Sequence, residues 1–111
     1  MRSLFAIALL AGCPGSEDSD TFCDGTPVVT WDNFGRGFLT ENCQTCHASD
    51  SPDRHDAPDY VTFDTEADVA AQVQPILLAA TGEAPYMPPE GGVSEDDRFL
   101  LKVWLSCYPP E

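Results

Sequence analysis

Cys43-Gln44-Thr45-Cys46-His47 places two thiols three residues apart and an imidazole directly after the second. On one turn at a helix end, the two sulfurs lie on neighbouring sides and can reach the two vinyl groups along one edge of a haem. The adjacent His47 would then swing under the ring and bind the iron from its proximal side. This is the C-x-x-C-H pattern of covalent c-type haem attachment. Two other chemistries use the same residue types. A redox dithiol of the thioredoxin kind is expected beside a βαβ pattern, which this chain lacks. A zinc site built from Cys43, Cys46 and two of His47, His55 and Cys107 has a usable first pair but irregular partners. The haem reading is preferred to both.

Haem iron that carries electrons takes a sixth ligand, and a thioether raises its potential by favouring the reduced state. Met87 is the candidate. It stands in Tyr86-Met87-Pro88-Pro89, inside a Pro- and Gly-rich stretch, and the other methionine is Met1. A lone methionine often serves only to fill a core; two following prolines place this one in a loop instead. His55 is the rival ligand. Only eight residues after His47, it is poorly placed to reach the opposite face of a ring and is expected to be exposed.

The elements that must position these residues follow from periodicity. Trp31, Phe34, Phe38 and Leu39 fall on one helical face, with Thr30 as N-cap and Asp32 in the first turn. Gly35 and Gly37 weaken that helix and suggest a close crossing with another. Residues 48–58 (ASDSPDRHDAP) read as a loop. Thr65 with Asp68 then forms a variant capping box ahead of Val69, Val73, Ile76, Leu77 and Ala80, with a kink or brief break expected at Pro75 and termination at Gly82. Residues 82–93 form a second irregular loop. Ser94, with Asp97 at the matching offset, starts a last helix whose face is Phe99, Leu100, Val103, Trp104 and Cys107, widened by Leu101 and Leu105. Val28–Thr30 and Tyr60–Phe63 are at most short extended pieces. The fold class expected is all-α, three main helices packed around one haem.

Met1-Arg2-Ser3 followed by the apolar run Leu4–Ala11 reads as a signal peptide, too short for a permanent transmembrane helix. Leu10-Ala11-Gly12-Cys13 resembles a bacterial lipobox, which implies cleavage before Cys13 and acylation of that residue. The alternative is an ordinary secretory signal; on either reading the protein is exported, to the periplasm or cell surface. The division expected is residues 1–12 as signal peptide, 13–26 as an acidic flexible tether, and 27–111 as the folded domain. Losing Arg2 takes the formal charge from −14 to −15, which repels nucleic acid and steers toward a basic partner or simply keeps the protein solvated. Of the five cysteines, lipid takes Cys13 and haem takes Cys43 and Cys46. Cys23 and Cys107 remain and can pair in an oxidising compartment.

The order of these features resembles the class I c-type cytochromes, of the small bacterial monohaem kind: helix, Cys-x-x-Cys-His, loop, helix, Met-Pro loop, and a last helix with Trp104-Leu105. The likeness covers about residues 27–108. It implies a single-electron carrier with no catalytic residues, His47 and Met87 as axial ligands, and redox proteins as partners. It also implies that Gly35 or Gly37 meets Trp104, and that a proline carbonyl, Pro58 or next Pro52, accepts the His47 ring N–H. Arg54, Trp31, Tyr60 and Tyr86 are the candidate donors to haem propionates. The lipobox, the extra cysteine pair and the scarcity of lysine depart from the family. A different role for the same site is a haem sensor or catalytic module in which Met87 is displaced; one outside it is a haem-free thiol oxidoreductase or zinc-binding lipoprotein.

Overall fold

The computed structural model describes residues 18–111, with side chains from residue 21 onward. The signal segment, Cys13 and the first part of the acidic tether lie outside the described residues. Among the described residues the elements are helical, with no strand and no helix long and apolar enough to cross a membrane.

The first long helical stretch opens as Thr30 dictates. Thr30 Oγ1 accepts from Asn33 N at 3.1 Å, and Asn33 Oδ1 accepts from Thr30 N at 2.7 Å. This box leads into a wide π-helical turn, Trp31–Gly35, in which Gly35 N donates to Thr30 O at 2.9 Å. α2 (Arg36–Asn42) continues from it and buries Phe38 and Leu39. At Cys43 the backbone leaves the helical region (φ −123°, ψ −35°), and one short turn, α3 (Gln44–His47), follows. The periodic face thus runs through a π-helical turn into α2 with helical backbone at Gly35 and Arg36, and the break comes only at Cys43.

The second helix divides too. α4 (Glu66–Ala70) starts on the Thr65–Asp68 box, and α5 (Val73–Ala80) begins after a turn at Ala71 and Gln72. The break thus precedes Pro75, the position expected to mark it, and Pro75 sits in the first turn of α5. There its missing N–H is not needed, whereas continuing the helix from α4 would set its ring against the Ala71 carbonyl. Gly82 follows the end of α5 with φ +90°, a left-handed conformation natural to glycine.

α6 (Glu95–Cys107) begins at Ser94, whose Oγ accepts from Asp97 N at 3.1 Å. Leu101, Val103, Trp104 and Leu105 are buried, joining Val29, Phe63, Val69 and Ile76 in the core. Phe99, expected on that face, is instead exposed to 46%. Its ring turns toward α1 (Asp18–Cys23), meeting Phe22 edge-on at 5.9 Å. That helix corrects the expectation that residues 13–26 form a flexible tether throughout. Phe22 packs on Phe99, Lys102 Nζ lies 4.5 Å above the Phe22 ring, and Cys23 is disulfide-bonded to Cys107 with Cα atoms 5.6 Å apart. These contacts fix the segment to α6.

Candidate functional site

A cavity of about 350 Å³ opens inside the helical core, within the size range of small-molecule and cofactor pockets. Cys43, Cys46 and His47 line one part of it, and Tyr86, Met87, Pro88 and Pro89 another. Phe38, Leu39, Phe63, Ile76, Ala80 and Leu101 supply apolar wall. The four residues singled out by their chemistry, separated by as many as 44 positions in sequence (43 to 87), therefore face one space.

The part of the wall that carries His47 is built by a break and a loop. Cys43 N donates to Leu39 O at 2.9 Å, closing α2, and His47 N donates to Cys43 O at 3.0 Å, closing the turn that carries the second thiol and the imidazole. His47 stacks obliquely on Phe63, ring centroids 4.8 Å apart. Its Nδ1 lies 3.1 Å from Val61 O. A carbonyl can only accept, so Nδ1 carries the proton of this bond; in the neutral imidazole that leaves the Nε2 lone pair for a metal.

The expected acceptor, Pro58, does not take that role. Its carbonyl instead accepts from Val61 N at 2.9 Å and Arg54 Nη2 at 2.7 Å. The turn closed by the first of these bonds carries the chain back over His47, which presents the carbonyl three residues further on. A proline-turn signal locates the loop, but only its backbone geometry decides which oxygen meets the ring.

Met87 is held by its backbone. Tyr86 N and Met87 N both donate to Ala79 O, at 2.8 and 2.9 Å. Arg98, on α6, donates through Nη1 to Ala80 O at 2.8 Å and to Met87 O at 2.9 Å. The loop is thus pinned to the end of α5 and to α6 at the residue that offers the thioether. Arg98 carries no sequence signal beyond being a cation beside an apolar helical face.

The remaining candidates separate. Arg54 and Tyr86 line the cavity, whereas Trp31 packs on Trp104 at 6.3 Å and Tyr60 is 78% exposed; neither is part of the lining. His55 reaches the cavity rim, with Nε2 3.6 Å from Asp53 Oδ2. Cys107 is engaged with Cys23, and among the described residues no three His, Cys, Asp or Glu side chains converge as a bare metal ion needs. The zinc alternative thus loses its donor set. Cys43 and Cys46 are free thiols. Burial pushes Cys43 up to about 12, outweighing the opposing pull of Arg98, with Cys46 adding to the rise. A thiol so reluctant to ionise is a poor nucleophile for disulfide exchange.

The chain matches no known protein family, curated protein or solved structure. Its site therefore has to be read from its own geometry.

Proposed function

We infer that this protein is an exported single-electron carrier that holds one covalent c-type haem through Cys43 and Cys46, with His47 and Met87 as axial ligands. The observation that supports this reading best is that the motif and Met87, distant in sequence, line one mainly apolar cavity. Two thiols, an imidazole with Nε2 available and a thioether are the donor set such a group requires. When bound, the haem supplies reversible one-electron redox chemistry between ferric and ferrous iron.

The chain's own residues would govern everything else. Cys43 and Cys46 would each add S–H across a vinyl group, sulfur to one carbon and hydrogen to the other, so that the ring becomes part of the core. Val61 O orients His47 and selects its tautomer. Ala79 and Arg98 hold the Met87 loop without occupying its sulfur. The apolar walls exclude water, which favours the less charged, reduced state of the site. Lipid attachment at Cys13 would keep the carrier at a membrane surface, and its acidic charge would favour basic redox partners.

Expression beside a haem-attachment system tests this directly. Denatured protein should retain haem, and the native reduced form should display a sharp α-band; a sample without covalent haem overturns the reading. Met87→Ala should lower the reduction potential and remove the sulfur-to-iron charge-transfer band. Met87 is 36% exposed, which favours one second reading, a haem sensor or catalytic module with a displaceable ligand. Rapid carbon monoxide binding to the untreated reduced protein would select it.

A further inference from the structure

Val61 O receives two donors. His47 Nδ1 and Arg54 Nη2 each lie 3.1 Å from it. The same guanidinium donates to Pro58 O and, through Nη1, to Ala48 O, both at 2.7 Å. Arg54 therefore joins the residue following His47, the Pro58 turn and the carbonyl that orients the imidazole. It lines the cavity, and its Nε is buried without a hydrogen-bond partner. Among the described residues no carboxylate lies within salt-bridge distance of it. A permanent positive charge is thus held among carbonyl dipoles beside His47.

We propose that Arg54 is a positioning residue that sets the donor strength of His47 through the shared Val61 carbonyl and so raises the reduction potential of the site. This rests on the haem reading above. An imidazole that gives its ring proton to a strong acceptor gains imidazolate character, becomes a stronger ligand and stabilises the oxidised metal. A carbonyl oxygen has two lone pairs. A guanidinium on one of them withdraws electron density and weakens the pull of that oxygen on the His47 proton. The guanidinium charge itself also favours the state with one more electron in the adjacent cavity. Both effects act in the same direction.

Arg54 is also well placed to be nothing more than a staple for the loop, so the test needs readouts that a staple would leave alone. The haem-loaded protein is compared with Arg54→Gln and Arg54→Lys by redox titration and by the NMR position of the His47 Nδ1 proton. Arg54→Gln should shift the reduction equilibrium about tenfold toward the oxidised state, equivalent to about 59 mV for one electron. It should also move the ring proton downfield, as a stronger hydrogen bond requires. Arg54→Lys keeps the charge but cannot span the three carbonyls. Its potential should fall between the two, with the ring proton displaced as in Arg54→Gln, and it provides the same test if Arg54→Gln does not accumulate. Unchanged potentials and an unmoved ring proton, alongside a lowered melting temperature, overturn the proposal and leave Arg54 a staple. So does a potential that rises. Absence of covalent haem from the wild-type protein is a separate result that strikes the reading of the site itself.

Discussion

Gly35 lies directly against the indole ring of Trp104. A methyl carbon built on it would stand 2.6 and 2.7 Å from Trp104 Cζ2 and Cζ3, distances no packed structure tolerates. The π-helical turn ends at Gly35, and Trp104 is 1% exposed in the last turn of α6. This is where the two ends of the folded region cross, and the approach is possible because one partner has no side chain.

The neighbouring glycine provides an internal control. Gly37, on the exposed side of α2, has open space around it: a methyl carbon added there would meet nothing within 4 Å. Gly35→Ala is expected to destabilise the fold by about 1–3 kcal/mol through overpacking against a rigid ring. Gly37→Ala should instead be neutral or stabilising by up to about 1 kcal/mol, since it removes a helical glycine without creating a clash. Urea-unfolding midpoints of the two variants check the contrast, and equal effects would contradict this view of the crossing.

The disulfide makes a different prediction. Cys23 and Cys107 are 84 residues apart and close most of the described chain into a loop. Replacing both with serine should cost about 2–4 kcal/mol, chiefly by freeing the unfolded chain. With the covalent tie gone, α1 would retain Phe22 against Phe99 and beneath Lys102. Limited proteolysis should therefore cut near residues 18–26 in the double variant well before it attacks the rest, and resistance equal to wild type would argue against this role for the bond.

How far such features can be read in advance depends on whether their cause is local. Thr30, Thr65 and Ser94 cap the elements their positions predict, because a cap is decided by a side chain and a backbone N–H three residues on. The pairing of Cys23 with Cys107 is legible by counting thiols. The π-helical turn, the early break before Pro75 and the choice of Val61 over Pro58 are not, since each is settled by backbone geometry that type and spacing leave open. Phe22 belongs to the same class: in an acidic stretch it reads as an isolated aromatic, and its partner Phe99 is 77 positions away (22 to 99). Met87 stands out as a lone thioether in a proline loop, but what holds that loop, Arg98 on α6, depends on the tertiary fold.

Acid should loosen the segment that follows the turn carrying His47. Hydrogen bonds from Ser49, side chain first and backbone second, hold the Asp64 carboxyl below its ordinary value of 3.8, with Gln44 and the Arg54 charge adding less. A carboxyl whose folded value is depressed contributes stability above 3.8 that is lost as pH falls through the lower, folded value. Because Asp64 is exposed, solvent screening keeps its share below about 1 kcal/mol. Asp64→Asn should therefore lie below wild type at neutrality by less than about 1 kcal/mol and show a flatter profile below about pH 4, where the two converge. Hydrogen exchange at the Ser49 amide across that range is the local check, and an unaltered acid profile in the variant would remove Asp64 from the account.

Alkali should distinguish a free Cys43 from a linked one. Burial raises this thiol from 9.0 to about 12, so the folded chain keeps a proton that the unfolded chain releases. Stability from that proton is complete below 9.0 and declines as pH climbs through the interval up to about 12. In haem-free polypeptide the loss should reach roughly 1–2 kcal/mol by about pH 10.5, over and above the decline in Cys43→Ala, which lacks the group. A thioether does not titrate, so protein carrying covalent haem at Cys43 should lose no more than Cys43→Ala does over the same interval. Denaturant unfolding of the three samples at neutral and alkaline pH provides the comparison. If the haem-loaded sample retains the alkaline loss of the free thiol, its Cys43 sulfur is not bonded to the ring.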